Sequence, residues 1–263
     1  MDLVSSTLSA QNPLLREIRR AVARGGLTRS GQCVAEGFHL LEEALRSGLR
    51  ISAVVAAEAA AAKARGQIGD GKRIRLAVVE DRVFAQLSAT EHAQGVLALV
   101  EPPRWREPDL FGRAAPVVVL DRLQDPGNAG AVARAAEAFG AAGLVWVKGT
   151  VSRWNPKTLR ASAGSLFRLP VIDAEDEPAA VALLRERGVA IRAALPQGGR
   201  APWELDWRGP CAVVIGNEAH GVGEAWGRAG EAVRIPTAGV ESLNAAAAAA
   251  VILYEAMRQR GAP

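Results

Sequence analysis

The sequence predicts an α/β protein built from two domains. Apolar residues recur at helical spacing in some segments and form short β-rich runs in others, as expected when helices and strands alternate. Three prolines and alternating charges interrupt this pattern between residues 101 and 109, a composition that favours extended, solvated backbone. The alternation resumes at Pro116. We therefore predict a domain at 1–103, a linker at 104–115 and a second domain at 116–263.

The first domain is predicted to be a small α/β unit. Its first helix is indicated by apolar residues at helical spacing, namely Leu14, Leu15, Ile18 and Val22. Short β-rich runs at 51–55 and 74–79 indicate two of its strands.

The second domain is predicted to contain a parallel sheet with crossover helices. A buried strand at 117–120, a helix at 129–139 and a strand at 143–147 give the expected alternation. Further strands are predicted at 189–194, 212–215 and 232–235, and a last helix at 242–259. The alanine run of that helix favours helical structure and gives a face of small residues suited to contact with a partner subunit.

Composition excludes several classes of protein. The chain has 263 residues, of which 49% are hydrophobic and 23% charged, so it is globular rather than disordered or fibrous. Two cysteines, Cys33 and Cys211, cannot form a disulfide framework and suit a reducing cytoplasm. The histidines lie at 39, 92 and 220 without metal-ligand spacing. We therefore expect no metal site.

Targeting and charge add weaker constraints. The N-terminus lacks a basic region followed by an apolar stretch, and the longest apolar run, 245–254, is too short to span a bilayer. We expect a soluble cytoplasmic protein with no membrane segment. The net charge of +4 and the pI of 9.6 allow a polyanionic partner without proving one.

Three glycine-rich or polar segments follow strands of the second domain, at 120–134, 213–223 and 235–244. The first contains a Pro-Gly turn, the second contains three glycines, and the third contains one glycine turn. Open α/β sheets bind ligands at the carboxyl ends of their strands. These segments are therefore the candidates for a functional site.

The polar residues in these segments are Asn128, Arg134, Glu218, Ser242 and Asn244. Taken singly, each segment also fits an ordinary structure. Asn128 fits a helix cap followed by a solvated Arg134, Glu218 fits a glycine turn, and Ser242 fits the cap of the last helix.

Taken together and in this order, the segments resemble the SpoU (TrmH) family of RNA ribose 2′-O-methyltransferases, within the SPOUT superfamily. The likeness covers residues 116–260, and three long motifs in order are far more specific than any one alone. The motif N-x-G-x-x-x-R is matched by Asn128, Gly130 and Arg134, G-x-E-x-x-G by Gly216, Glu218 and Gly221, and I-P-x-x-G…S-L-N by Ile235, Pro236, Gly239, Ser242, Leu243 and Asn244. Residues 155–164 also resemble a stretch of this family.

This resemblance implies a C-terminal SPOUT α/β domain with a deep trefoil knot, S-adenosylmethionine bound in the knot, and an active site shared across a homodimer. It needs no metal. The implied cofactor-binding residues are Gly216, Asn217, Ile235, Pro236 and Leu243, and the implied catalytic residues are Asn128, Arg134, Glu218, Ser242 and Asn244.

The resemblance leaves the individual roles open. Arg134 is often assigned to activate the ribose hydroxyl, but a guanidinium is always charged in proteins and donates rather than accepts protons. We therefore expect Arg134 to bind an RNA phosphate and to stabilise the developing alkoxide. Asn128, Ser242 and Asn244 would orient the ribose or the cofactor, and Glu218 would hold the arginine or its loop.

The first domain resembles the N-terminal substrate-binding domain of many family members, through residues 12–20 and 34–45. Arg16, Arg20 and Arg24 lie four residues apart, so one helix face could follow RNA phosphates, although a merely solvated face fits equally well. We expect ribosomal RNA as the substrate. The alternatives are a transfer RNA 2′-O-methyltransferase and a non-catalytic RNA-binding or assembly factor with the same fold.

Overall fold

The computed structural model describes residues 6–9, 11–69, 74–90 and 92–261. They form two compact units. Unit 1 comprises Met1–Pro103 and Ser152–Arg168, and unit 2 comprises Arg104–Val151 and Leu169–Pro263. Among the described residues, no helix is both long enough and apolar enough to cross a membrane.

Helices and strands alternate along most of the chain. In chain order they are β1 (Ser6–Thr7), α1 (Pro13–Arg24), β2 (Cys33–Glu36), α2 (Phe38–Arg46), β3 (Ile51–Ala57), α3 (Ala61–Ile68), β4 (Arg75–Val79), α4 (Asp81–Ala85), β5 (Val96–Val100), α5 (Glu107–Phe111), β6 (Val117–Asp121), α6 (Pro126–Ala138), β7 (Gly143–Val147), α7 (Pro156–Ser162), β8 (Val171–Ala174), α8 (Glu177–Glu186), β9 (Ala190–Ala194), β10 (Cys211–Gly216), α9 (Glu224–Ala229), β11 (Glu231–Val233) and α10 (Ala245–Gln259).

Unit 1 contains a mixed five-stranded sheet in the order β1-β4-β3-β5-β2. Strand β4 pairs in parallel with β1 and β3, whereas β5 pairs antiparallel with β3 and β2. Helix α1 buries Leu15, Ile18 and Ala21. Its first turn is capped by Asn12, whose side chain accepts a hydrogen bond of 2.9 Å from the backbone N–H of Leu14.

Residues 152–168 pack within unit 1, although the sequence predicts them as part of the second domain. Two buried carboxylates account for this placement. Arg160 Nη1 lies 2.9 Å from Glu36 Oε2, and Arg168 donates to the carboxylate of Glu43. A carboxylate removed from water is costly unless a cation and hydrogen bonds compensate it, so these pairs tie the segment to unit 1.

Unit 2 contains a six-stranded sheet in the order β11-β9-β10-β6-β7-β8, in which every neighbouring pair is parallel. The central strands β6, β7 and β10 are buried almost throughout, as expected for a parallel sheet covered on both faces. The predicted α/β class with a mostly parallel sheet is confirmed. The trefoil knot stays a prediction.

Unit 2 also includes residues 104–115, which the sequence predicts as a linker. They contain the short helix α5, and Leu110 from this helix is fully buried in the apolar core of the unit. Burial of this leucine contributes about 1.5–3 kcal/mol to holding the segment against the sheet.

Several predicted boundaries were wrong by a few residues. Helix α6 begins at Pro126 rather than 129, because Asp125 caps it by accepting a 2.7 Å hydrogen bond from the N–H of Asn128. Helix α10 begins at Ala245 rather than 242, with Asn244 as its cap. Strand β11 ends at Val233, two residues before the predicted end, so Ile235 lies in the following loop.

The pairing of Arg160 with buried Glu36 predicts a stability effect. Arg160→Ala is expected to lower the free energy of unfolding by about 1–3 kcal/mol, because it leaves a buried carboxylate with one partner fewer. Urea unfolding followed by circular dichroism measures this. The matched control is Arg82→Ala, which breaks the exposed pair with Glu80 in the same unit and is expected to cost less than about 1 kcal/mol. Equal effects of the two substitutions would contradict the prediction.

Candidate functional site

A pocket of about 570 Å³ opens in unit 2 at the carboxyl ends of three parallel strands. Its walls come from residues 194–196 after β9, residues 215–222 at the end of β10, and residues 241–245 before α10. Val233, Ile235 and Ile252 add apolar surface. This volume and this mixture of apolar walls with a few polar groups are typical of small-molecule sites.

The pocket brings together most of the predicted site residues. Those that line it are Gly216, Asn217, Glu218, Ile235, Ser242, Leu243 and Asn244. Pro236 follows Ile235 directly but does not line the pocket. Asn128 does not line it either, but it is hydrogen-bonded to Glu218 and to Asn244, which do.

Asn244, Asn128 and Glu218 form a continuous hydrogen-bonded chain, which we call the amide–carboxylate chain. Asn244 Nδ2 donates to Asn128 Oδ1 at 2.8 Å, and Asn128 Nδ2 donates to Glu218 Oε1 at 2.9 Å. Asn244 Oδ1 in turn accepts from the backbone N–H groups of Ala246 and Ala247. The first turn of α10 therefore fixes the orientation of both amides.

Glu218 is held by backbone as well as by Asn128. Its carboxylate accepts from the N–H of Gln124 at 3.2 Å and from the N–H of Asp125 at 3.3 Å. Partial burial by itself would raise the pKa of Glu218, but the hydrogen bonds from Asn128 and from the backbone outweigh it and lower the pKa. Glu218 is thus an ionised acceptor that anchors the start of α6.

The segment 216–223, which we call the glycine loop, is tightly folded on itself. Asn217 and Gly221 exchange backbone hydrogen bonds of 2.9 and 2.8 Å. A Cβ at position 216 would collide with the backbone of Gly221, so only glycine permits this approach. The Asn217 side chain accepts from the N–H groups of Ala219 and His220 and donates to the carbonyl of Arg122.

The structure decides between the alternatives for the helix caps. Asn244, and not Ser242, caps α10, and Asp125, and not Asn128, caps α6. Neither predicted cap residue is therefore used as a cap. Ser242 and Leu243 are exposed at the mouth of the pocket.

Arg134 lies outside the pocket. It follows Asn128 by six residues on α6, which places it about 120° around the helix and about 9 Å along its axis. The side chain is exposed, and within the described part of the chain it has no hydrogen-bond or ion-pair partner. The predicted catalytic role of Arg134 stays a prediction.

Helices α6 and α10 pack on each other and leave an apolar surface open. Phe139 and Tyr254 meet edge to face with their ring centroids 5.9 Å apart. Tyr254 is 53% exposed and Val251 is 43% exposed. We call this surface the α6–α10 face.

Unit 1 carries a second candidate site, a basic groove of about 290 Å³ along α1. Its lining residues are Pro13, Arg16, Glu17, Arg20, Arg24 and Arg29. Glu17 accepts hydrogen bonds from Ser30, so its charge faces the loop that carries Arg29. The sequence predicted three of these arginines. It missed Arg29, because this residue lies in a loop outside the helical period.

Among the described residues, no group of three or more His, Cys, Asp or Glu side chains is arranged to hold a metal ion. Both cysteines are buried and unpaired. Burial raises the pKa of the Cys33 thiol to about 12, so this group stays protonated.

Two family models match the chain. The SpoU rRNA Methylase family matches residues 115–254, and the MRM3-like substrate binding domain matches residues 12–98. These matches confirm the family predicted from the sequence motifs.

Individual relatives match over nearly the whole chain. An uncharacterized tRNA/rRNA methyltransferase of Synechocystis sp. is 34% identical, with 98% of this chain and 96% of the relative covered. The 23S rRNA (guanosine(2553)-2′-O)-methyltransferase of Bacillus subtilis is 29% identical, with 94% and 96% covered. The crystal structure of the SpoU methyltransferase AviRb from Streptomyces viridochromogenes with AdoMet has a TM-score of 0.82 at 27% identity, with 95% and 99% covered.

The lowered pKa of Glu218 predicts a pH-dependent contribution to stability. Because the folded state holds the ionised form, this contribution is present above the ordinary value of 4.5 and is lost as pH falls through the lowered value. We therefore expect Glu218→Gln to be less stable than the wild type near neutral pH, and the difference to narrow as the pH falls below 4.5. Urea unfolding of both proteins, from neutral pH to below 4.5, measures this difference in the free energy of unfolding.

The control for this experiment is Glu224→Gln, which removes an exposed carboxylate paired with Arg228 in the same unit. Its difference from the wild type is expected to stay small at every pH. A constant deficit of Glu218→Gln at all pH values would refute the ionic role of Glu218.

Proposed function

The chain belongs to the SpoU rRNA methylase family, and from this we propose that it transfers a methyl group from S-adenosylmethionine to a ribose 2′-hydroxyl of ribosomal RNA. The observation that carries the proposal is the amide–carboxylate chain at the edge of a pocket lined by the family motifs. Three polar side chains from three separate segments share one hydrogen-bonded arrangement there, and such a network fixes the orientation of each member.

The pocket has the features that S-adenosylmethionine requires. Apolar side chains such as Ile235 and Ile252 can pack against an adenine, and the glycine loop exposes backbone groups for polar contacts. When bound, S-adenosylmethionine supplies a sulfonium methyl group that needs in-line attack and no metal. We assign Gly216, Asn217 and Leu243 to its binding.

Asn128 and Asn244 are the orienting donors. A side-chain amide nitrogen carries two hydrogens. One hydrogen of each is used inside the amide–carboxylate chain, which leaves the other to donate to a ribose or cofactor oxygen. Glu218 sets the direction of Asn128, and its lowered pKa makes it a poor proton acceptor.

Arg134 stabilises charge in this proposal. An RNA phosphate and a developing alkoxide both favour a fixed guanidinium. Arg134 lies outside the pocket of its own chain, so it serves the pocket of a second copy. The exposed α6–α10 face, with Val251 and Tyr254, is the contact through which the homodimer forms.

Ribosomal RNA is the preferred substrate because the N-terminal unit is present. The relative from Bacillus subtilis that matches along its whole length methylates 23S rRNA, and residues 12–98 match a substrate-binding domain. We place RNA phosphates in the basic groove, on Arg16, Arg20, Arg24 and Arg29. Two buried, unpaired thiols agree with action in the cytoplasm.

A methyl-transfer assay by subunit complementation tests the activity and the shared site together. The wild type is expected to transfer labelled methyl from S-adenosylmethionine to unmodified ribosomal RNA, and Arg134→Ala and Asn244→Ala are each expected to be inactive. If Arg134 serves the other subunit's pocket, an equal mixture of the two variants regains about a quarter of the wild-type activity, because each mixed dimer has one intact site.

Each other outcome has a defined meaning. Label in transfer RNA instead of ribosomal RNA favours the transfer RNA alternative. Cofactor binding with no transfer to either RNA favours a non-catalytic RNA-binding factor. Activity in the wild type without any recovery in the mixture contradicts the exchange of Arg134 between subunits. Arg65→Ala removes an exposed arginine of α3 that lines neither the pocket nor the basic groove, and it is the control for loss of surface charge.

The basic groove predicts a change in salt dependence. The logarithm of the affinity for ribosomal RNA is expected to fall linearly with the logarithm of salt concentration. Removing one phosphate contact with Arg20→Ala or Arg29→Ala is expected to reduce that slope by about 1. Filter binding of RNA fragments at several salt concentrations measures the slope. Arg65→Ala is again the control, and an equal slope change in all three variants would place the RNA elsewhere.

A further inference from the structure

A buried charged cluster lies at the end of β6, beside the glycine loop. Asp121 is fully buried, and its two oxygens lie 3.1 and 3.3 Å from Nε and Nη2 of Arg122. Nη2 of Arg122 also lies 2.6 Å from Glu177 Oε1, at the start of α8. One guanidinium therefore bridges two carboxylates from two different elements. None of the three residues belongs to the motifs of the pocket.

The backbone of Arg122 adopts an uncommon conformation. Its φ is +58°, in the left-handed region that side chains other than glycine rarely occupy. The Arg122 N–H donates to Thr150 Oγ1 at 2.9 Å, and the Arg122 carbonyl accepts from Asn217 Nδ2 at 2.9 Å. This left-handed turn directs the carbonyl at the first residue after β10. Such strain persists only where the surroundings hold it, and it clusters at functional sites.

The other end of the glycine loop is tied to the same cluster. The N–H of Gly223 donates to Asp121 Oδ2 at 2.8 Å. The carboxylate of Glu177 occupies the space that a Cβ at position 223 would need, so the loop also packs directly on this carboxylate. Both ends of the loop, at Asn217 and at Gly223, are therefore fixed by consecutive residues of one strand end.

We propose that Asp121, Arg122 and Glu177 are positioning residues that hold the glycine loop in the shape required to bind S-adenosylmethionine. This inference rests on the proposed cofactor pocket. The cluster sets the loop because a buried carboxylate keeps its hydrogen bond to Gly223 only while Arg122 compensates its charge. Glu177 holds Arg122 against Asp121. Loss of any member releases an end of the loop, although none of them lines the pocket.

Two substitutions isolate the side chains. Asp121→Asn keeps the size of the side chain and removes its charge, whereas Arg122→Gly keeps the left-handed backbone and removes the guanidinium. In the ligand-free protein, hydrogen–deuterium exchange of the peptide covering 216–223 is expected to become faster in both variants. The Kd for S-adenosylmethionine, measured by calorimetry, is expected to rise about tenfold or more, as for loss of a charged hydrogen bond.

Kinetics distinguishes positioning from a general loss of structure. The KM for S-adenosylmethionine is expected to rise while kcat at saturating cofactor changes little, because the loop closes once the ligand is bound. The matched control is Glu175→Gln, which breaks the exposed pair with Lys148 in the same unit and is expected to change neither exchange nor Kd. If Asp121→Asn does not fold, Glu177→Gln provides the same measurements through a residue outside the strand.

The outcomes separate this inference from the proposed function. Unchanged exchange of 216–223 in the variants overturns the positioning role, and so does faster exchange with an unchanged Kd. Faster exchange together with a raised Kd supports it. A wild type that binds no S-adenosylmethionine overturns the proposed function and with it the cofactor role of the cluster. Normal binding by the wild type, together with unchanged hydrogen–deuterium exchange in the variants, overturns only the positioning role of the cluster.

Discussion

The parallel direction of all strands in the sheet of unit 2 is the constraint on which the site depends. Because β6, β9, β10 and β11 run the same way, the loops that follow them leave from one edge of the sheet. Residues that are 90 and 116 positions apart in sequence therefore meet as hydrogen-bonded neighbours, as Asn128 does with Glu218 and with Asn244. An antiparallel partner at any of these positions would send one loop to the opposite edge.

The sequence was informative where local chemistry and periodicity act. Strand 143–147 was predicted with its observed ends, and the motifs identified five polar residues of which three line one pocket and a fourth bonds to two of them. Periodicity predicted the ends of helices less well than their presence. Asp125 and Asn244 took the capping roles expected of Asn128 and Ser242, because several good cap residues lie close together in each segment.

Contacts between distant residues could not be predicted. Glu36 and Arg160 are separated by 124 positions, and nothing in either segment marks the other as its partner. Asp121 looks like an ordinary polar residue at the end of a strand, and only the folded backbone shows that it meets Gly223, 102 positions away. Arg29 likewise joins the arginines of α1 through the path of a loop. In each case the missing information is tertiary geometry, which a single sequence does not express as a pattern.

The placement of residues 152–168 has a consequence for how such proteins diversify. The chain leaves unit 2 after Val151, contributes α7 to unit 1, and returns at Leu169, so it passes between the units three times. The matched methylase region, 115–254, therefore contains a piece that folds with the other unit. An N-terminal module cut at Pro103 would leave Glu36 and Glu43 without Arg160 and Arg168. Recombination that exchanges the N-terminal unit between relatives must consequently transfer two separate stretches of the gene together, those that encode residues 1–103 and 152–168. The two stretches are therefore expected to be inherited together.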